Sequence, residues 1–170
     1  MMKLKILLII LFLLTISAGV IIFARNKKME KKVHYHAGFL VYIDGQKQDF
    51  SDMKYMNVKP CTDDPGKEVH ADEQLEKAHL HDAVGDVVHV EAKDAVWGDL
   101  FKNIRYTFPK GKTVSGYVNG VVVNDILTYP IHPYDNALII VGDNHGVNLG
   151  QTISKEHIQE IEKKSETCGS

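Results

Sequence analysis

The chain has 170 residues, 44% of them hydrophobic and 25% charged, and a formal net charge of −2 at pH 7. Seven basic residues precede residue 33, so the remainder carries 13 basic against 21 acidic residues. Protein contacts to phosphate need a basic surface, and this acidic remainder therefore argues against nucleic acid as a partner. It is long enough for a single domain with a hydrophobic core.

The N-terminal segment is dominated by an uncharged, almost wholly apolar run at residues 6–24. About 19 residues at about 1.5 Å per residue cover about 28 Å, close to the hydrocarbon thickness of a bilayer. We expect residues 1–24 to be a transmembrane anchor in contact with membrane lipid; a signal peptide cleaved near the small residues 17–19 is the alternative. Residues 25–32, rich in lysine, would be a basic juxtamembrane linker.

Both interpretations of this segment place the body of the chain outside the cytoplasm, and the anchor interpretation places it at the cell membrane as a single-pass protein. The two cysteines, Cys61 and Cys168, would then meet an oxidising environment in which they could form a disulfide. Alternatively they stay unpaired, and Cys61 is available as a metal ligand.

Strand patterns dominate the first half of the body. Alternation predicts a strand from Val33 to Ile43, with its odd-numbered residues on the core face and its histidines on the other. Asp44-Gly45 is a hairpin signal. Residues 51–77 are polar and would be a long excursion with a short helix near its end. A second strand is expected at residues 87–92, with its histidine again off the more apolar side.

The second half has a different pattern. A helix is expected after an N-cap at Asp94, with Trp97 and Phe101 in the core. A hairpin turn at Asn119-Gly120 and the apolar strand "NALIIVGD" follow. This order of strand, helix, hairpin and strand resembles a β-grasp unit. A terminal helix at residues 152–165, capped by Ser154, completes the chain.

These elements predict an α+β fold: an N-terminal transmembrane helix, then a β-rich domain of mostly antiparallel strands with a β-grasp-like second half. The domain would cover residues 33–150 as one extracytoplasmic unit. Residues 151–170 would be a C-terminal helix and tail.

Histidines form two H-x-H pairs, in "VHYHAGF" and "AHLHDAVGDVVHVEA". Nine histidines scattered at random would give about 0.4 such pairs, so two is an excess. On a strand, residues i and i+2 lie about 6.6 Å apart on one face, where two imidazoles can reach one ion. The expected metal ligands are His34, His36, His79, His81 and His89.

Three further residues near these pairs could ligate the ion or orient an imidazole: Asp82, Glu91 and Cys61. A simpler interpretation is that the histidines are ordinary polar residues on a solvated strand face. The remaining histidines are expected on loops or the surface: His70, His132, His145 and His157.

The motifs "HYHAGFLVYIDG", "VKPC", "HLHDAVGDVVHVEA" and "WGDLF" resemble those of a group of uncharacterised exported archaeal and bacterial proteins. That group has an N-terminal hydrophobic segment, an H-x-H strand and an L-H-x-H-D-x-x-G-x-x-H-x-E box before a short helix. The resemblance covers about residues 33–105, with Ala78 where leucine is expected. It implies that the histidines and Cys61 act together, without naming a reaction.

The sequence therefore predicts a membrane-tethered, extracytoplasmic domain that binds copper or zinc through clustered H-x-H histidines. Two alternatives remain open: a metal-dependent, cupin-like enzyme, and a cell-surface interaction domain without metal. We expect a binding protein rather than an enzyme, because the cupin glycine spacing is missing and no catalytic triad or carboxylate pair is visible. No protein partner is indicated.

Overall fold

The computed structural model describes residues 33–57 and 73–165. These residues belong to a structural unit that begins at Val33. A short 3₁₀ turn at Met53–Tyr55 follows the second strand. Within the two described stretches the regular elements are β1 (Tyr35–Ile43), β2 (Gln46–Lys47), α1 (Glu73–Lys77), β3 (Val87–Val90), α2 (Trp97–Asn103), β4 (Val114–Val118), β5 (Val121–Val123), β6 (Asn136–Val141) and α3 (Lys155–Ser165).

Strand β1 is central to the sheet because it has partners along both edges. On one edge it runs parallel to β6, with Gly38 opposite Asn136 and Ile43 opposite Val141. On the other edge it is antiparallel, first to β3 and then to β2. Most of its residues are buried on both faces, as its near-continuous apolar sequence requires.

The sheet continues from β6 through two further antiparallel pairings. Strand β4 pairs with β6, and β5 pairs with β4. The strand order is thus β2-β1-β6-β4-β5, with β3 beside the first half of β1. β5 forms the far edge.

One face of the sheet carries the main hydrophobic core. Alternate residues of β1, β3 and β6 point into it, because side chains along a strand alternate between faces. Helix α2 packs there with Trp97 and Leu100, both fully buried. The core position expected for Trp97 and Phe101 is confirmed.

The opposite face, which we call the second face, is also covered. Leu40 and Tyr42 pack with Leu138 and Ile140 in a smaller apolar cluster. Helix α3 lies against the same face near β3, where Val87 contacts Ile158 and Ile161. The interpretation of this face as a solvated row of side chains is therefore wrong.

Gly38 makes the close approach of the chain to the second face possible. A Cβ atom at Gly38 would lie 2.6 Å from the Cβ of Ile153 and 2.9 Å from the side-chain oxygen of Asn136. Contacts that short are not tolerated, so only glycine lets the segment before α3 pack here. The Ser154 hydroxyl then accepts from the N–H of His157 at 3.1 Å, as predicted for the cap of α3.

The predicted fold class is wrong in its topology. The sheet is mixed, and its central pair, β1 and β6, is parallel. Strand β6 lies between β4 and β1, and β1 belongs to the first half of the body. Strand β3 pairs with β1 and not with β6. The second half is therefore not a β-grasp-like unit of its own.

In the two described stretches no helix is long and apolar enough to cross a membrane. The predicted transmembrane helix at residues 6–24 lies outside them, as does the linker at 25–32. Export of the domain therefore stays a prediction from sequence.

The two predicted hairpin turns are present, whereas the start of α2 and the end of β3 differ from the predicted positions. Asp44-Gly45 and Asn119-Gly120 are hairpin turns in which both residues have positive φ, as predicted. The helix expected after Asp94 begins instead at Trp97, because the Asp99 carboxylate accepts from the N–H of Val96 at 3.1 Å. Strand β3 ends at Val90 rather than at residue 92.

Replacing valine by alanine should lower the free energy of unfolding more in the main core than at the edge of the sheet. Val90 is fully buried in the main core, so Val90→Ala should leave a cavity that lowers the free energy of unfolding by about 1–3 kcal/mol. Val122, on the edge strand β5, is 63% exposed, and Val122→Ala should cost under about 0.5 kcal/mol. Urea unfolding of both variants measures the difference, and equal losses would contradict this arrangement.

Candidate metal centre

Histidines from three adjacent chain segments form a row on the second face. His89, in β3, pairs with His36 of β1 on one side. On the other side it pairs antiparallel with His79, through backbone hydrogen bonds of 2.9 and 3.0 Å. Side chains directly opposite one another in such pairs share a face of the sheet. His89 is therefore the middle histidine of a three-segment row.

The two H-x-H pairs extend this row. His34 and His81 each lie two residues from a member of the row, on the same face, as the period of a strand requires. The ring of His89 has its centroid 4.6 Å from those of His34 and His36, and 4.8 Å from those of His79 and His81. We call these five residues the histidine cluster: His34, His36, His79, His81 and His89.

Most of the cluster is buried. His36, His79 and His89 are 1%, 5% and 3% exposed, whereas His34 is exposed and His81 is intermediate. Burial disfavours a charged imidazole because it removes the solvating water. Helix α3 covers this end of the second face, where it packs on Val87 and brings Glu162 to 4.0 Å from His36.

The cluster and Glu91 form two groups that could hold a metal ion. In each group, one candidate ligand atom per residue lies within 4.8 Å of the others. The outer group contains His34, His36 and His89; the inner group contains His79, His89 and Glu91. His89 belongs to both.

A chain of hydrogen bonds fixes the orientation of His89. The Asp82 carboxylate lies 2.7 Å from Nδ1 of His81, and Nε2 of His81 lies 2.7 Å from Nδ1 of His89. An ionised carboxylate only accepts, so His81 donates through Nδ1 and, when neutral, accepts at Nε2 from His89. This proton arrangement leaves Nε2 of His89 with its lone pair.

The local backbone explains why Asp82 reaches back to His81. Asp82 and Ala83 both have positive φ, of 58° and 57°. This left-handed turn reverses the chain directly after His81. The Asp82 carboxylate is thereby placed beside the imidazole that it orients.

Nε2 of His89 makes no hydrogen bond among the described residues, although it is buried. Its nearest charged neighbour is the Glu91 carboxylate, 3.6 Å away. A lone pair facing a carboxylate is an arrangement of two acceptors that favours a cation between them. Two ligands at about 2.0–2.1 Å from one ion in tetrahedral geometry lie about 3.4 Å apart, close to the observed separation.

His79 is oriented in the way expected of a metal-ligating histidine. Its Nδ1 lies 2.9 Å from the carbonyl oxygen of Leu75. Because a carbonyl only accepts, Nδ1 carries the proton and Nε2 is left with its lone pair. A hydrogen bond from the second ring nitrogen to a backbone carbonyl is typical of histidine ligands.

Burial and mutual repulsion keep these imidazoles neutral. Burial, followed by the neighbouring His89, lowers the pKa of His36 to about 3. The same two causes lower the pKa of His79 to about 4. Burial also lowers the pKa of His89, against the opposing effect of Glu91. Neutral imidazoles are the form that donates a lone pair to a metal.

Glu162 of α3 approaches the cluster and was not predicted from sequence. One of its carboxylate oxygens lies 4.0 Å from Nδ1 of His36, and the other accepts from the Tyr134 hydroxyl at 2.7 Å. This carboxylate raises the pKa of Tyr134. The sequence does not indicate that Glu162 lies near the histidines, because its distance from β1 depends on where α3 packs.

The remaining histidines of the described residues lie outside the histidine cluster. His132 pairs with Asp135 and His157 with Asp86, while His145 is on the surface, 94% exposed in its side chain. Cys61, Cys168 and His70 lie outside the described residues, so the disulfide and the cysteine ligand stay predictions.

Comparisons with models of known protein families, with curated proteins and with solved structures find no match for this chain. The resemblance noted in the histidine motifs therefore stays a prediction. What the site does has to follow from its own geometry: buried, neutral imidazoles and one carboxylate that could hold a metal ion.

The lowered pKa values predict how stability depends on pH. His36 and His79 titrate lower in the folded chain than the value near 6.5 of an unfolded chain, so the unfolded chain binds more protons below about pH 6.5. The metal-free fold should then lose up to about 1.4 kcal/mol per pH unit for each of the two as pH falls from about 6.5 towards 4.

Urea unfolding of the metal-free chain between pH 6.5 and 5 measures this slope above the range where most carboxylates titrate. His79→Gln should reduce the slope, since it removes one of the buried imidazoles whose pKa is lowered. His145→Gln changes an exposed imidazole and should leave the slope as it is. A stability that does not change with pH in this window would contradict the neutral, buried state.

Proposed function

We propose that this protein binds a transition-metal ion at the histidine cluster, outside the cytoplasm, and serves in the acquisition, buffering or delivery of that metal. The observation that carries the proposal is the environment of His89. Its ring lies within 4.8 Å, between centroids, of four other histidine rings, and its buried Nε2 faces the Glu91 carboxylate.

A purely structural role explains this arrangement less well. Burying a polar atom without a hydrogen bond costs about 1–3 kcal/mol. Gathering five imidazoles adds mutual repulsion if they take up protons, as the lowered pKa values of His36 and His79 reflect. A metal ion offsets both costs, because it accepts the lone pairs that otherwise face one another.

The donor set indicates which metals to expect. Imidazole nitrogens and a carboxylate suit Cu(II) and Zn(II), and affinity for such sites is greatest for Cu(II) among the divalent first-row metals. The residues that supply the donors are those on which the resemblance to exported proteins rests. The extracytoplasmic location is inferred from residues 6–24 alone.

The burial of the site favours binding over catalysis. Each group contains two histidines that are over nine-tenths buried, His36 with His89 or His79 with His89, so an ion held there has little room beside it for a substrate. A catalytic ion keeps an open coordination position for water or substrate. Storage or transfer of the ion makes no such demand.

His89 is the residue whose change tests the proposal. His89→Gln keeps a polar side chain of similar length but removes the nitrogen shared by both groups. We expect the purified full-length chain to bind Zn(II) or Cu(II), and this variant to bind at least about 100-fold more weakly. Titration against a competing chelator measures the dissociation constant.

His145→Gln is the matched control, since it makes the same substitution at an exposed surface position. Circular dichroism shows whether both variants are folded as the wild type is. The proposal fails if wild type takes up no metal, or if His89→Gln and His145→Gln bind as tightly as wild type.

A further inference from the structure

We propose that the metal ion enters through the outer group and then moves to the inner group, with His34 as the entry ligand and His89 as the ligand that holds the ion throughout. This inference rests on the proposed function. It assigns to the two overlapping groups different roles in one binding process.

The two groups lie on opposite sides of His89. His34 and His36 belong to the β1 side of β3, and His79 belongs to the other side. The rings of His34 and His79 both stack on that of His89, at 4.6 and 4.8 Å and within 20° of parallel.

This spacing keeps His34 and His79 from sharing one ion. The rings of His34 and His79 stack on His89 from opposite sides, at 4.6 and 4.8 Å between centroids, so the His89 ring lies between them. Two nitrogens bound to one ion at about 2.0–2.1 Å can be at most about 4.2 Å apart, which is too short to reach across that ring. An ion bound by His79 has therefore left His34.

His89 has one nitrogen to offer to a metal ion. Its Nδ1 is 2.7 Å from Nε2 of His81, within the chain of hydrogen bonds that begins at Asp82. Nε2 is left for the metal in both groups. Since a single nitrogen binds one ion, the groups are alternative positions for the same ion.

The two positions differ in their exposure to solvent. The outer group contains His34, its exposed member, while the members of the inner group are buried or intermediate. An ion arriving from solvent or from a donor molecule meets His34 first. In the inner group the Glu91 carboxylate adds a negative charge, and His79 is held in place by the Leu75 carbonyl. The inner position should therefore be the stable one.

The test separates the rate of exchange from the affinity. Zn(II) is transferred from a chromogenic chelator to the purified full-length chain and then removed by excess chelator, with both rates followed by stopped flow. His34→Gln should slow loading and removal by at least about tenfold, equivalent to about 1.4 kcal/mol of barrier. The dissociation constant should stay within about threefold of wild type.

Glu91→Gln is the complementary variant, because it changes the inner group alone. It should raise the dissociation constant at least about tenfold and leave the loading rate unchanged. His145→Gln, a surface control, should alter neither quantity. Wild type at saturation should hold one Zn(II) per chain.

Each contrary result has a distinct meaning. If His34→Gln weakens binding as much as Glu91→Gln does, or leaves both rates unchanged, His34 is not an entry ligand, although the protein still binds metal. Two Zn(II) ions per chain would show that the groups are filled together and would overturn the alternation. If wild type binds no Zn(II), the inference fails, and if it binds neither Zn(II) nor Cu(II), the proposed function fails as well.

Discussion

The site depends on the register of β3, which lies between β1 and the segment that carries His79. Backbone pairing places His89 opposite His36 on one side and opposite His79 on the other. A shift of one residue would turn His89 to the main core and bring Val88 or Val90 to the second face. Because those valines are fully buried in the main core, the hydrophobic interior holds the register and thereby holds the cluster.

The same packing that stabilises the fold prepares the histidines for a metal. Helix α3 packs on Val87 and brings Glu162 towards His36, so it both closes the second face and adds a negative charge near the cluster. Burial then keeps the imidazoles neutral, whereas the chain of hydrogen bonds from Asp82 directs the remaining lone pair of His89. Folding thus fixes the candidate donors in place, which would lower the ordering cost of binding an ion there.

Sequence periodicity predicted part of this arrangement. Alternation along the strands placed the members of each H-x-H pair on one face, and glycine-containing turns located the hairpins. It could not predict which strands pair, because the pairing of β1 with β6 joins segments almost 100 residues apart. The burial of the second face was missed for the same reason: the pattern of α3 predicts a helix, but not its docking position. Glu162 became visible as a neighbour of His36 only once that position was known.

The central claim is that His89 binds a metal ion through Nε2. Crystals of the full-length protein grown with Zn(II), with diffraction data collected on both sides of the zinc absorption edge, test it directly. We expect an anomalous peak about 2.0–2.1 Å from Nε2 of His89, with Glu91 in the same coordination shell. No peak near the histidine cluster, or a peak only at a surface residue such as His145, would contradict it.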